Sequence, residues 1–357
     1  MPSTPTAFVI LALVISTVLN AVASPGCGLN TITFNSAGHA TRTLAGNRTY
    51  LLHIPTNYNA ESAHAVVLSF HGYDGASSTQ ETRSQFSNRG VLINDRGIIA
   101  AYPQAALGNR TLCDGTTVEH EPAWEGAPYA SADINDVQFT KDILADISNN
   151  LCVDSTRIYA AGKSNGGGFV NLLACEPDTA ALFAAFAPVS AALYPGTHAF
   201  SDCNPGRPIP LINFHGLDDE TIPYEGKSYQ CTGNYTTPVI QTWRAEWAQR
   251  NGCTGTGDQL PNATSVTAPY PKTVEYLWSC SAPVQGFTVD DLGHSWPTIL
   301  GLDPSGKPLN VAPFNATIST SDSSAPSIIE FFNQFTLPDT DSAAIVQRSA
   351  AQQQREL

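Results

Sequence analysis

Ser164 stands in a Gly-x-Ser-x-Gly pattern that spans residues 162–166. A predicted strand over residues 157–161 precedes the pattern and a predicted helix over residues 165–174 follows it, which is the setting that a nucleophilic serine requires. Small residues beside the serine allow a sharp turn that presents its hydroxyl at the sheet edge, where the helix N-terminus favours developing negative charge. The bare pattern also arises by chance in a glycine-rich chain, so its neighbours carry the prediction of a nucleophile.

A serine hydroxyl becomes a good nucleophile only when a base removes its proton, and histidine is the usual base. The order serine, acid, histidine is that of α/β-hydrolases. His294 is the only histidine that follows the acidic segment described next, and it lies in a loop after a predicted strand over residues 287–289. His71 and His215 each end a predicted strand and precede a glycine, and we expect structural or oxyanion-loop roles for them.

The acid that would orient this histidine should follow a strand between Ser164 and His294. Three adjacent carboxylates, those of Asp218, Asp219 and Glu220, come shortly after an apolar strand predicted over residues 209–214. Spacing alone does not choose among them. A solvated acidic turn is the alternative interpretation of this segment.

Two backbone N–H groups should stabilise the negative charge of a tetrahedral intermediate. One belongs to the residue after the nucleophile, Asn165, and the other comes from the loop after an early strand. That loop follows the predicted strand over residues 65–70, and the N–H of Tyr73 is our candidate. A glycine-rich connection without a catalytic role is the alternative for this loop.

The elements that position these groups alternate along the chain. Strands are predicted over residues 50–54, 65–70, 97–102, 157–161, 184–189, 209–214 and 287–289. Helices are predicted over residues 134–150, 165–174, 238–251 and around 326–335. This alternation predicts an α/β fold with a mostly parallel central sheet and helices on both faces. Residues 24–337 carry no repeat or linker and are expected to form one domain, while the polar tail over residues 338–357 is expected to be disordered.

The N-terminal segment and the cysteines indicate export from the cell. Residues 7–23 are apolar and end in small residues, which predicts a signal peptide over residues 1–23; an uncleaved membrane anchor is the alternative. All eight cysteines lie beyond that point, an even number that suits disulfide pairing, and we expect Cys253 to pair with Cys280. Five Asn-x-Ser/Thr glycosylation sequons begin at Asn47, Asn109, Asn234, Asn262 and Asn315.

Composition excludes some classes of partner. The formal net charge is −14, and an acidic chain without a basic cluster is unsuited to nucleic acid. Hydrophobic residues make up 42% of the chain, enough for a core that needs no structural metal. We expect no metal and no organic cofactor.

Four segments together resemble secreted polyhydroxybutyrate-depolymerase-like esterases of the α/β-hydrolase superfamily, and among these the chain is most similar to fungal feruloyl esterases. The segments are His71-Gly72, residues 162–167, the acidic segment from His215 to Tyr224, and residues 293–297. In that family the acid is the third residue after the His-Gly pair, so the resemblance selects Asp219. The resemblance extends over roughly residues 27 to 335 and implies the α/β-hydrolase fold with the catalytic residues Ser164, Asp219 and His294.

The resemblance further implies hydrolysis of hydroxycinnamate esters of plant cell-wall polysaccharides, such as feruloylated arabinoxylan or pectin. Tyr73, Trp124, Tyr129 and Trp296 are candidates for an aromatic substrate cleft, although ordinary burial is the alternative for each of them. Acetyl xylan esterase and polyester depolymerase are the alternative activities, and a non-catalytic hydrolase fold that only binds is a third reading. We expect a secreted monomer without a membrane or nucleic-acid partner.

Overall fold

The computed structural model describes residues 23–111, 116–199, 202–229, 235–303, 311–318 and 325–337. The signal peptide expected up to residue 23 lies outside these residues except for Ala23, and the expected tail over residues 338–357 lies outside them entirely. Asn234, Cys113 and Cys231 also fall outside the described residues.

The strands and helices of the described residues follow the alternation predicted from the sequence. The strands are β1 (His39–Thr43), β2 (Thr49–His53), β3 (His64–Phe70), β4 (Leu92–Ile93), β5 (Arg96–Gly97), β6 (Ile99–Pro103), β7 (Leu107–Thr111), β8 (Thr117–Pro122), β9 (Val153–Lys163), β10 (Ala185–Val189), β11 (Leu211–Gly216), β12 (Lys227–Tyr229), β13 (Tyr235–Thr237), β14 (Ser265–Tyr270), β15 (Thr273–Trp278) and β16 (Val284–Val289). The α-helices are α1 (Ser77–Ser84), α2 (Asp136–Asn150), α3 (Asn165–Cys175), α4 (Pro177–Ala180), α5 (Ile240–Arg250) and α6 (Ile328–Phe332).

Within the described residues, one 10-stranded sheet organises the chain in the order β1-β2-β6-β3-β9-β10-β11-β16-β15-β14. The strands from β6 to β16 in this order pair in parallel. Antiparallel pairs flank them at both edges. Since the carboxyl ends of parallel strands meet at one edge, the loops after β3, β9, β11 and β16 converge there. The predicted α/β-hydrolase fold with a mostly parallel sheet is confirmed.

The two faces of the sheet are covered by separate apolar clusters. Along β3, Val66 and Leu68 pack in the cluster that includes α2, α3 and α5, whereas Ala65 and Val67 pack in the cluster that includes α6. Successive side chains of a strand point to opposite faces, so a strand covered on both sides is apolar at nearly every position. This explains the continuous apolar run that marks β3 in the sequence.

Three disulfides lie within the described residues. They join Cys27 to Cys152, Cys175 to Cys203, and Cys253 to Cys280. The last pair was expected from the sequence and is confirmed. Cys27–Cys152 attaches the N-terminal segment to the residue before β9, and Cys175–Cys203 attaches the end of α3 to a later loop. Among the described residues, no helix is both long and apolar enough to cross a membrane.

The sequons differ in their exposure. Asn47, Asn109 and Asn262 are exposed. Asn315 is buried, and its side-chain amide donates a hydrogen bond to Gln85. A glycan on this nitrogen would have to break that bond and open the surrounding core, so we no longer expect glycosylation at Asn315.

Candidate active site

Ser164 occupies a sharp turn between β9 and α3. Its backbone has φ 57° and ψ −120°, a left-handed conformation that non-glycine residues rarely adopt and that marks stored strain. The turn requires glycine at two neighbouring positions. A side chain at Gly162 would collide with the carbonyl of Gly166, and a side chain at Gly166 would collide with the carbonyl of Phe70. The glycines of the sequence pattern therefore allow β3 and α3 to approach closely and present Ser164 at the end of β9.

The structure brings Ser164, His294 and Asp219 together in one hydrogen-bonded chain. The Nε2 atom of His294 lies 2.7 Å from Oγ of Ser164, and its Nδ1 atom lies 2.8 Å from Oδ2 of Asp219. All three side chains are buried. With a proton on Nδ1 donated to the carboxylate, Nε2 is free of hydrogen and can accept the serine proton. The arrangement is that of a nucleophile, a base and an orienting acid.

Asp219 is held by the loop after β11. Its Oδ1 accepts the backbone N–H groups of Thr221 at 3.0 Å and Ile222 at 2.8 Å. His215 lies with its Nε2 atom 3.3 Å from Oδ2 of the same carboxylate. Burial raises the pKa of Asp219, but the charge of His294 and hydrogen bonds from His215 and His294 outweigh burial and hold this pKa below its ordinary value. Asp219 is therefore an anion at neutral pH.

His294 is poised to act as a neutral base. Burial lowers its pKa from the ordinary 6.5, and the nearby charge of Lys163 lowers it further. Asp219 acts in the opposite direction through its charge and its hydrogen bond. Because burial dominates, the imidazole of His294 is uncharged at neutral pH and can accept a proton.

The loop after β3 runs beside the nucleophile. A Cβ atom added at Gly72 would lie 3.2 Å from Cβ of Ser164, so the loop backbone one residue before Tyr73 packs against the nucleophile. Asn165 opens α3 on the other side, and its side-chain oxygen accepts the N–H of Trp124 at 2.8 Å. The two expected oxyanion donors thus belong to backbone segments that flank Ser164.

His71 organises this loop. Its Nδ1 donates to the carbonyl of Gly72 at 2.6 Å, and its Nε2 accepts the N–H of Ala105 at 3.1 Å. Burial lowers the pKa of His71 to about 4, against a raising effect of the bond to Gly72. A neutral imidazole with one donor and one acceptor fits both partners. The geometry agrees with the structural, oxyanion-loop role expected from the sequence.

Trp124 and Trp296 do not line a substrate cleft, so that expectation is wrong for both. Each side chain is 0% exposed. The indole of Trp124 stacks on Phe169 and donates to the carbonyl of His71 at 2.8 Å, while that of Trp296 donates to Thr317 at 3.1 Å. A large ring is readily buried when its N–H finds an internal acceptor, and both rings do. Trp124 instead supports the loop that precedes Tyr73.

Tyrosine side chains form an aromatic cluster that includes Tyr73 of the loop after β3; two of its members, Tyr129 and Tyr194, are buried, and the others are half-buried. Tyr129 contacts Tyr73 with ring centroids 4.6 Å apart and Tyr194 with centroids 5.7 Å apart, and the hydroxyls of Tyr129 and Tyr194 are 3.3 Å apart. Tyr235 joins Tyr194 at 4.9 Å and Tyr229 at 4.8 Å. We call these five residues the tyrosine cluster.

The tyrosine cluster contacts both the loop after β3 and the loop that holds Asp219. Tyr73 belongs to the loop after β3, and Ile222, beside Asp219, packs in the same apolar cluster as Tyr129 and Tyr194. Sequence reasoning named Tyr73 and Tyr129 but missed Tyr194, Tyr229 and Tyr235. Tyr194 lies in the loop after β10, and Tyr229 and Tyr235 pair across β12 and β13, which follow β11. A position beyond the carboxyl end of a parallel strand was the signal that could have found them.

Comparisons with known proteins agree with the resemblance noted in the sequence. No protein-family profile matches the chain. Feruloyl esterase B of Piromyces equi is 31% identical over 210 residues, which cover 58% of this chain and 36% of that protein, so the chain spans about a third of this relative. The probable feruloyl esterase C of Aspergillus oryzae is 25% identical over 285 residues, covering 80% of this chain and 88% of that protein.

Among solved structures, an acetyl xylan esterase from Aspergillus awamori superposes with a TM-score of 0.46 and 15% identity, covering 72% of this chain and 93% of that chain. The resemblance to fungal feruloyl esterases is confirmed by the sequence relatives. The enzyme class that these relatives support is a carboxylic ester hydrolase.

Proposed function

We propose that this protein is a serine esterase that releases ferulic or related hydroxycinnamic acids from plant cell-wall polysaccharides. The hydrogen-bonded chain of Ser164, His294 and Asp219, with distances of 2.7 Å and 2.8 Å, is the observation that carries the ester-hydrolase part. The similarity to proteins named feruloyl esterases supports the substrate class. Feruloylated arabinoxylan and feruloylated pectin are the polymers that we propose as substrates.

The reaction proceeds in two acyl-transfer steps. Oγ of Ser164 attacks the ester carbonyl while Nε2 of His294 takes its proton, and Asp219 stabilises the imidazolium that forms. The tetrahedral intermediate collapses, and the sugar alcohol leaves with the proton from His294. Water then attacks the acyl-serine, giving its proton to His294, and the free acid departs as Oγ of Ser164 regains that proton.

The N–H groups of Tyr73 and Asn165 stabilise the oxyanion in both steps. Both belong to backbone fixed before substrate arrives: His71 and Trp124 hold the loop of Tyr73, and the side chain of Asn165 is bonded to Trp124. Donors that need no rearrangement stabilise developing charge most effectively. No metal or organic cofactor is part of this mechanism.

The tyrosine cluster supports an aromatic acyl group as substrate. Its half-buried rings, those of Tyr73, Tyr229 and Tyr235, offer edge and face contacts to a flat cinnamoyl ring. The buried rings of Tyr129 and Tyr194 pack against Tyr73 and Tyr235 and fix their orientation. We place the acyl moiety against Tyr73, whose ring packs on Tyr129, on the side of Ser164 where the loop after β3 lies. This replaces the two tryptophans that the sequence had suggested.

The substrate proposal is tested by initial rates on methyl ferulate and methyl acetate, which share a leaving group. We expect kcat/KM for methyl ferulate to be about 10- to 100-fold higher, because burying an aromatic ring contributes roughly 1.5–3 kcal/mol. Acetylated xylan and polyhydroxybutyrate serve as rival substrates. Turnover of acetylated xylan with negligible turnover of methyl ferulate would instead identify an acetyl xylan esterase, and release of hydroxybutyrate alone a polyester depolymerase.

The pH dependence follows from the environment of His294. We expect kcat/KM to rise with pH and to level off on the acidic side of the ordinary histidine pKa of 6.5, because burial and Lys163 lower the pKa of this imidazole and only its neutral form accepts the serine proton. Rates measured from about pH 4 to about pH 8 at saturating and limiting substrate test this. A rise centred above the ordinary histidine value would show that another group controls the reaction.

We further propose that residues 24–337 form the esterase unit and that it works outside the cell as a secreted monomer. The disulfides at Cys27, Cys175 and Cys253 support an oxidising compartment. The net charge of −14 disfavours nucleic acid as a partner. Exposed Asn47, Asn109 and Asn262 are the sequons at which the described structure leaves room for a glycan.

A further inference from the structure

A buried cluster of charges lies next to the proposed active site, and the mechanism above assigns no role to its central carboxylate. Its centre is the carboxylate of Asp303, whose Oδ2 atom lies 3.2 Å from Nζ of Lys163 and 3.0 Å from Nε of Arg83. The side chains are 0%, 4% and 9% exposed for Asp303, Lys163 and Arg83 respectively. Burying three charged groups costs desolvation free energy, and a buried ion pair is weak evidence for a gain in stability. A role in the function of the neighbouring site is another reason for their arrangement.

The cluster joins three segments that must keep their places for catalysis. Lys163 ends β9 and directly precedes Ser164. Arg83 belongs to α1, the helix that follows the loop of Tyr73. Asp303 also accepts the backbone N–H of Trp296, two residues beyond His294, at 3.1 Å, and its own carbonyl accepts the hydroxyl of Ser295 at 3.4 Å.

We propose that Asp303 is a positioning residue that fastens the His294 loop to the nucleophile strand through its buried ion pairs with Lys163 and Arg83. This inference rests on the proposed role of His294 as the base. The carboxylate of Asp303 acts through the residues on either side of the two reacting groups, Lys163 before Ser164 and Trp296 after His294.

The same cluster also influences the pKa of His294 through the charge of Lys163. The charged and titratable groups that act on its imidazole include Lys163 from β9, Asp219 from the loop after β11 and His215 from β11 itself. Burial lowers the pKa of Lys163 to about 8, with Asp303 raising it and Arg83 lowering it, so the ammonium is still mostly protonated at neutral pH. The positive charge of Lys163 opposes protonation of His294, and Asp303 partly offsets that charge.

The positioning role is tested with Asp303→Asn, which preserves shape and an acceptor oxygen but removes the charge. We expect kcat on methyl ferulate to fall roughly 10- to 100-fold with KM within about twofold, because misplacing the base slows the chemical step more than binding. The matched control is Asp291→Asn, which lies three residues before His294 and removes an exposed ion pair with Lys272. A wild-type kcat for Asp303→Asn would overturn the proposal.

A double variant tests whether the loss of kcat in Asp303→Asn comes from the broken interaction with Lys163 rather than from a general loss of folded structure. Asp303→Asn leaves two buried cations without a carboxylate, whereas adding Lys163→Met returns the net charge of the cluster to its original value. We expect the double variant to recover part of the kcat and of the melting temperature that Asp303→Asn loses. Equal or greater losses in the double variant would contradict an interaction between the two residues.

A measurement that does not depend on catalysis distinguishes this inference from the proposed function. The titration of His294 is followed by NMR of its imidazole C–H in the wild type and in Lys163→Met. Removing the ammonium should move the midpoint to higher pH, and an unchanged midpoint would refute the electrostatic link. If the wild type hydrolyses no ester, the proposed function fails, while this titration still decides whether the cluster acts on His294.

Discussion

Replacing Ser164 with alanine is expected to lower kcat for methyl ferulate by roughly 10⁵- to 10⁶-fold, to a residual rate supported by binding and the oxyanion hole alone. The hydroxyl lies 2.7 Å from Nε2 of His294, where this base can take its proton. Initial rates on freshly purified protein measure the effect. A variant with more than a few per cent of the wild-type rate would exclude Ser164 as nucleophile and would favour a binding protein with a contaminating activity.

Ser164→Gly is the companion variant, because it separates catalysis from backbone strain. At φ 57° and ψ −120°, alanine keeps the strain of roughly 1–3 kcal/mol, whereas glycine relieves it at an entropic cost of about 0.5–1 kcal/mol. Both variants should be inactive, and the glycine variant should have the higher free energy of unfolding in urea. A glycine variant that is less stable than the alanine variant would show that the turn at Ser164 stores too little strain to outweigh the entropic cost of glycine.

The parts of the fold that the sequence predicts are those in which one local signal decides the outcome. Apolar strands such as β3 and the glycines around Ser164 were recognisable because burial on both faces and steric closeness each permit few residue types. Element ends were less certain. The helix predicted from residue 134 begins at Asp136, because the side chain of Asn135 caps it by accepting the N–H of Gln138.

Features that depend on distant contacts could not be read from local pattern. The hairpin of β14 and β15 extends the sheet edge with side chains that are mostly half-exposed, so it carries no strong alternation. Trp124 and Trp296 resemble cleft residues in composition, but the acceptors that bury their N–H groups, the carbonyl of His71 and the hydroxyl of Thr317, lie far away in the chain. Three members of the tyrosine cluster, Tyr194, Tyr229 and Tyr235, were missed because their contacts join the cluster through residues distant in the chain, such as Tyr129 with Tyr194 and Tyr194 with Tyr235.

The catalytic acid is a residue that sequence spacing could not identify and that the structure distinguishes by its contacts. Asp218, Asp219 and Glu220 are three neighbouring carboxylates in one loop, and in the sequence only the resemblance to known esterases distinguished them. In the structure Asp219 is buried against His294, while Asp218 and Glu220 are exposed. The difference arises because two backbone N–H groups, those of Thr221 and Ile222, turn the Asp219 carboxylate inward.

Asp219→Asn is therefore expected to reduce kcat by about 10⁴-fold while Asp218→Asn, one residue away and exposed, stays within about twofold of the wild type. An asparagine can donate its amide hydrogen to Nδ1 of His294, which leaves the imidazole proton on Nε2, where it blocks transfer from Ser164. The asparagine also lacks the negative charge that stabilises the imidazolium formed during attack. Because the side-chain shape is kept, both variants should unfold at similar temperatures, so a rate difference reports on catalysis. A larger loss of kcat in Asp218→Asn than in Asp219→Asn would show that Asp218 is the catalytic acid, and would require a rearranged loop after β11.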